Sequence, residues 1–234
     1  MDDLVISYHF VFPDKREETF AVHFDAVTLT AKGELPNPLP DWTRLDVHKC
    51  KHCPLNSDTH PTCPLAARIA GIVDRFADIM SHQEVHVEVV TPERTVSKRT
   101  TAQVGLCALL GLVMATSGCP HTALFKPMAA FHLPLASPDE TVYRAASMFL
   151  LAQYFLNKET GKSDLTMRGL EAFYRSIELL NEHMAQRIRA GIGKDAAINA
   201  LIELDFFAKN FTFGMEERLD ELRHLFVPYM ERMQ

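Results

Sequence analysis

The chain has 234 residues, 47% of them hydrophobic, and a formal net charge of −6 at pH 7. That apolar content fills a sizeable core, in one large domain or two small ones, without recourse to a membrane. Lys and Arg are scattered along an acidic chain, so no basic stripe is on offer to a phosphate backbone and nucleic acid is not an expected partner.

The N-terminus runs from Met1-Asp2-Asp3 straight into a strand pattern, with no basic and apolar leader, so export is not expected. Five cysteines are an odd number, which speaks for reduced thiols in the cytoplasm and against a disulfide framework. The longest apolar run, residues 104–115, has 12 residues. A membrane-spanning helix needs roughly 17 to 25, so this run is expected to be a buried core helix.

Leu4, Ile6, Tyr8, Phe10 and Phe12 alternate with other residues, and Phe20, Val22 and Phe24 resume the period after the polar turn at 13–17. This predicts a hairpin. Pairing numbers that sum to 32 sets Tyr8 against Phe24 and Phe10 against Val22, and places His9 opposite His23 on the other face. A third short strand is expected over 26–30. Prolines 36, 38 and 40 then make residues 33–41 a connector.

A helix is predicted over 65–80 directly behind Cys63-Pro64, since proline suits a first helical position. Val85, Val87 and Val89 predict a strand that turns at 91–93 into a second, charged strand at 94–99, and a helix follows over 101–116. Residues 117–134 are expected to be one long irregular stretch. From Ser137-Pro138-Asp139-Glu140, a capping box, the chain reads as helix to about residue 157, then over 164–190, 195–209 and 215–226, with glycines 161, 191, 193 and 214 between. The expected class is α+β: two N-terminal β-hairpins with packed helices, then an all-helical C-terminal part. Residues 1–134 and 135–234 are the expected parts, packed as one unit.

The segment carrying chemistry is His48-Lys49-Cys50-Lys51-His52-Cys53-Pro54 with His60-Pro61-Thr62-Cys63-Pro64, three thiols and three imidazoles in a short stretch. A Cys-x-x-Cys turn lets two thiolates grip one ion, and a third thiol ten residues on closes the loop. The fourth ligand is taken as Cys119 in Ser117-Gly118-Cys119-Pro120-His121, with His48, His60 and His121 as alternates. Cys107 lies twelve residues before Cys119, about 18 Å along a continuous helix, and is assigned to the core. Zinc is favoured, an iron–sulfur cluster is the alternative, and a thiol-redox pair lacks the βαβ context it needs.

His82, Glu84, His86 and Glu88 share a strand face, read as a solvated surface paired with Arg94, Lys98 or Arg99. His132 is read as capping a helix end. Gly191-Ile192-Gly193-Lys194-Asp195 lacks the first glycine and the Ser or Thr of a phosphate loop and is read as a helix–helix turn. Neither a Gly-x-Ser-x-Gly elbow nor a His-Glu-x-x-His motif is present.

Cys50-x-x-Cys53-Pro54-Leu55, Cys63-Pro64-Leu65-Ala66, Thr116-Ser117-Gly118-Cys119-Pro120 and Phe131-His132-Leu133-Pro134 are similar to segments of a family of uncharacterised bacterial proteins. The resemblance spans most of the chain. It implies no activity or ligand, but favours roles beyond packing for Cys119 and His132.

Two functions are carried forward. One is a metal-stabilised binding, sensory or regulatory protein whose helical part meets a protein partner or a second copy. The other is a metal- or thiol-dependent enzyme with an open metal position near His121 and His132, where these or Glu84 serve as acid or base.

Overall fold

The structure is a computed structural model, and it describes residues 3–191, 195–212 and 214–233. Strands β1 (Asp3–Val11), β2 (Glu17–Asp25), β3 (Glu84–Val90) and β4 (Thr95–Thr101) form one antiparallel sheet in the order β2-β1-β3-β4. Strict alternation along β1, β2 and β3 sends Ile6, Tyr8, Phe10, Val22, Phe24, Val85, Val87 and Val89 to one buried face. Each such side chain contributes about 1.5–3 kcal/mol by leaving water. The fold is α+β, as the sequence implies, with helices following the sheet.

Helices α1 (Pro64–Arg75) and α2 (Ala102–Thr116) lie in the same compact unit as the sheet. Pro64 occupies the first helical position of α1, with Cys63 as its N-cap residue, and the apolar stripe includes Leu65, Ile69, Ile72 and Val73. Phe76, just beyond α1, meets Phe10 edge-on at 5.1 Å between ring centroids. Gly105 lets α2 approach the sheet, because a Cβ there would stand 2.7 Å from Phe10 Cε1 and 2.8 Å from Val87 Cγ2. Residues 104–115 lie within α2 and are largely buried, as expected of a core helix.

The register of the first hairpin differs from expectation. Paired numbers sum to 28, so Tyr8 faces Phe20, His9 faces Thr19 and His23 faces Val5. The cause is a tight three-residue loop: Phe12 N–H donates to Arg16 O at 2.9 Å, and Lys15 takes a left-handed φ of 70°. The third strand expected at 26–30 is instead a turn. Asp25 Oδ1 accepts from Val27 N at 3.0 Å and Thr28 N at 2.8 Å, a local side-chain geometry that competes with ladder formation.

Helix α1 stops at Arg75 rather than near residue 80. The stretch 117–134 is not wholly irregular, since it holds a 3-10 turn at Ala123–Phe125 and a short helix α3 (Lys126–Ala130) with Pro127 in its first turn. On the second hairpin, Glu84, His86 and Glu88 stand opposite Thr101, Arg99 and Ser97, so Arg99 is the cation across from His86.

The remaining helices are α4 (Pro138–Thr160), α5 (Arg168–Gly191), α6 (Asp195–Thr212), α7 (Met215–Leu222) and α8 (Val227–Met233). The helix expected over 215–226 ends at Leu222 and continues as a 3-10 turn, Arg223–Phe226. The capping box is present: Ser137 N–H donates to Glu140 Oε2 at 2.7 Å and Glu140 N–H to Ser137 Oγ at 3.2 Å. Gly161 closes α4 in the left-handed region at φ 71°. Of the Gly191–Asp195 turn, residues 192–194 lie outside the described residues.

Two compact units are distinguished. Met1–Leu135 and Leu179–Asp205 form the first, and Ala136–Glu178 and Phe206–Gln234 the second. In the first unit, Asp195 Oδ2 accepts from Ser81 N at 2.8 Å and Glu203 from Gln103 at 3.1 Å, tying α6 to the hairpin end and to α2. In the second, Tyr143 and Phe226 stack at 6.4 Å. Its helix α4 has Leu151, Tyr154, Phe155 and Leu156 exposed toward its C-terminal end. Among the described residues, no helix is long and apolar enough to cross a membrane.

Candidate metal centre

The cysteine-bearing segment leaves a 3-10 turn at Asp41–Thr43 and returns alongside itself before entering α1. Cys63 N–H donates to Thr43 O at 2.8 Å, Leu45 N–H donates to Pro61 O at 3.0 Å, and Arg44 and Thr62 form an antiparallel bridge. The base of the loop is thereby pinned. Within it, Cys53 N–H donates to Cys50 O at 3.0 Å, which curls the Cys-x-x-Cys into a turn.

Cys119 belongs to a second segment, directly after α2. Ser117 Oγ donates to Met114 O at 2.8 Å and accepts from Cys119 N at 3.2 Å, and Thr122 Oγ1 donates to Met114 O at 2.5 Å. Gly118 turns the chain at φ 87°, and a Cβ there would lie 4.0 Å from Pro64, the residue after Cys63. His121 Nε2 donates to His52 O at 3.1 Å, and the two imidazoles lie 4.0 Å apart between centroids. His121, shortly after Cys119, thus touches His52, the neighbour of Cys53, and Gly118, just before it, passes near Pro64.

The thiols respond to one another. Burial first, and then negative charge on Cys63, Cys53 and Cys119, push the Cys50 thiol up to about 12, while Arg187 opposes them. Burial also pushes Cys119 up, against hydrogen bonds from the backbone N–H groups of His121 and Thr122 to its sulfur, which favour the thiolate. Cys63 and Cys119 are buried, and Cys50 and Cys53 half-buried. All five cysteines are free thiols.

The four cysteines singled out from spacing therefore share one electrostatic neighbourhood. Cys107 stands apart in the middle of α2, where burial first, and then the charge of Glu203, raise its thiol. Of the alternates, His48 and His60 are exposed, His60 Nδ1 lying 2.9 Å from Thr59 Oγ1, whereas His121 is half-buried beside His52. Among the described residues, no group of three or more His, Cys, Asp or Glu side chains is arranged to hold a metal ion as the rotamers stand. His132, expected to cap a helix end, has its Nε2 2.5 Å from the Tyr8 hydroxyl.

Sequence reasoning missed Arg187, His52 and Tyr8. Arg187 is 1% exposed, and its guanidinium donates to Trp42 O at 2.8 Å, to Arg44 O, and to Leu45 O at 3.5 Å. Its presence on the buried side of α5, with Leu180, Met184 and Ile188, is the signal that was available. His52 was passed over as one imidazole among several, and Tyr8 as ordinary core.

No curated protein and no solved structure matches the chain. A family description, "Domain of unknown function (DUF6901)", matches residues 6–227, which takes in both hairpins, the cysteine segments and nearly all of the helices. The chain belongs to that family.

Proposed function

We propose that this chain is a cytoplasmic metal-binding protein with a binding, sensory or regulatory role, its ion held by Cys50, Cys53, Cys63 and Cys119. The carrying observation is the mutual influence of these four thiols, drawn from segments on either side of the β3–β4 hairpin and α2. Two backbone N–H groups on the Cys119 sulfur favour the anion a soft metal requires. Gathering the thiols into a tetrahedron takes side-chain rotation, chiefly at the half-buried Cys50 and Cys53. Zinc is favoured over an iron–sulfur cluster because four thiolates around one ion give a closed site with no geometric demand from the metal.

Elemental analysis with an absorption spectrum, on protein purified without oxygen, tests this. About one zinc per chain without colour is expected for a closed four-ligand site. Iron with sulfide and a brown colour moves the ligand to a cluster. No stoichiometric metal in either form overturns the reading.

One observation favours an enzyme with an open metal position: His121, two residues beyond Cys119, is half-buried against His52 and can stand as acid, base or fourth ligand. A three-cysteine site in which C119S keeps zinc supports that reading; a four-cysteine site removes it. Self-association through the second unit is the partner reading, supported by Leu151, Tyr154 and Phe155 exposed at helical spacing on α4. Light scattering at two concentrations, on wild type and L151E/F155E, tests it.

A further inference from the structure

Arg187 is the largest side chain among those almost wholly buried, and it carries a charge. Among the described residues it makes no ion pair with a carboxylate. Asp46, the carboxylate that influences it, is paired instead with Arg44 at 2.8 Å. Three backbone carbonyls, of Trp42, Arg44 and Leu45, hold the terminal nitrogens, but carbonyls bring dipoles and no net charge. A buried cation left in that state is strongly destabilising. Its Nε–H is also buried and lacks a hydrogen-bond partner. The negative charges it feels most are those of Cys63, Cys50 and Cys53, in that order.

We infer that Arg187 is the counter-charge of the metal centre, holding one positive charge against an anionic tetrathiolate and offering its Nε–H to a ligating sulfur. This rests on the metal reading above and deepens it. A divalent ion with four thiolates carries a net charge of −2, which is costly to take out of water; the guanidinium offsets half of that charge, and the anion in turn offsets the buried cation. Replacing one thiolate by a neutral histidine leaves a net charge of −1, which one guanidinium balances in full. The guanidinium is thus a counter-charge to either donor set, and the thiols it feels, Cys63, Cys50 and Cys53, are common to both. The carbonyl clamp fixes the guanidinium beside the loop that carries the thiols, so Arg187 acts as a positioning and charge-balancing residue rather than a ligand.

The test is zinc affinity of the full chain by competition with chelators of graded strength, on wild type, R187Q and R187K, with zinc content and far-UV dichroism recorded for each. Lysine keeps the charge and loses the planar fork; glutamine keeps a hydrogen-bonding side chain and loses the charge. The expected result is that R187Q weakens zinc about 10- to 100-fold, in the range of outer-shell substitutions, while R187K recovers most of that loss. Equal weakening of both variants, or undiminished affinity in R187Q, overturns the charge role and leaves the metal reading standing. If wild type binds no zinc, the metal reading falls and this inference with it. Should R187Q be obtained only unfolded, R187K decides alone: near-wild-type affinity supports the counter-charge and a loss of about tenfold or more, as for other outer-shell contacts, overturns it.

Discussion

The Tyr8 hydroxyl lies 2.5 Å from His132 Nε2, joining a fully buried position of the inner strand β1 to the segment downstream of Cys119. Tyr8→Phe keeps the ring and its stacking on Phe10 but removes the polar contact. Leaving a part-buried imidazole with less hydrogen bonding costs about 1–2 kcal/mol. Urea denaturation is expected to show a lower midpoint with an unchanged slope, and metal content is expected to stay the same. A midpoint equal to wild type removes the structural role assigned to the pair.

Cys53→Ser and Cys107→Ala are expected to separate. The first lies in the thiol cluster, and its loss lowers metal content and thermal stability together, since binding free energy at a structural site is folding free energy. The second removes a buried thiol from α2. It leaves metal content unchanged and costs about 1–2 kcal/mol, in line with small core truncations. Metal analysis and calorimetry on the two proteins check this, and loss of metal in C107A contradicts the assignment.

Gly105→Ala places a methyl group within 2.7 Å of Phe10 Cε1 and 2.8 Å of Val87 Cγ2. Both neighbours belong to the buried sheet face, so neither can swing into solvent, and overpacking of this kind costs about 1–3 kcal/mol. Chemical denaturation is the measurement. A neutral result means that α2 shifts as a body to make room.

Acid sensitivity follows from three carboxylates. Hydrogen bonds from Thr28 N–H, and then Lys32 and Val27 N–H, hold Asp25 well below the usual range; Thr166 and Gly169 N–H lower Asp164, and Ser81 lowers Asp195. A carboxylate with a depressed folded pKa contributes stability that is fully present above its unfolded value, about 3.9, and is lost as pH falls through the folded value. Urea midpoints are expected to fall below about pH 4, where unfolded aspartates begin to bind protons. D25N and D195N should each flatten that decline; profiles parallel to wild type contradict the assignment.

The sheet strands were legible because alternation has a period of two, and that same property hid the register. Sums of 28 and 32 both place Tyr8 and Phe10 on the buried face, so the pattern of apolar residues cannot tell them apart; the loop geometry at Lys15 decides. Asp25 consumed residues 26–30 in a turn that composition alone reads as strand. At the candidate site, spacing separated Cys107, in the middle of α2, from Cys119 beyond its end, because a helix carries the two apart. Arg187 was out of reach for a different reason: nothing local to α5 announces that its partners are carbonyls of residues 42, 44 and 45.

Chain order gives the cluster a birth sequence. During synthesis Cys50, Cys53 and Cys63 emerge together, followed by β3, β4 and α2, and only then by Cys119; Arg187 comes last, on α5. A nascent chain therefore carries a three-thiol loop on its own until the sheet edge and α2 have formed, because the fourth thiol is delivered by tertiary structure and not by proximity along the chain. In that interval the loop is open to any thiophilic ion within reach. On the metal reading proposed above, the final occupant is the ion retained when Cys119 arrives, and the sheet and α2 set the interval before that choice is made.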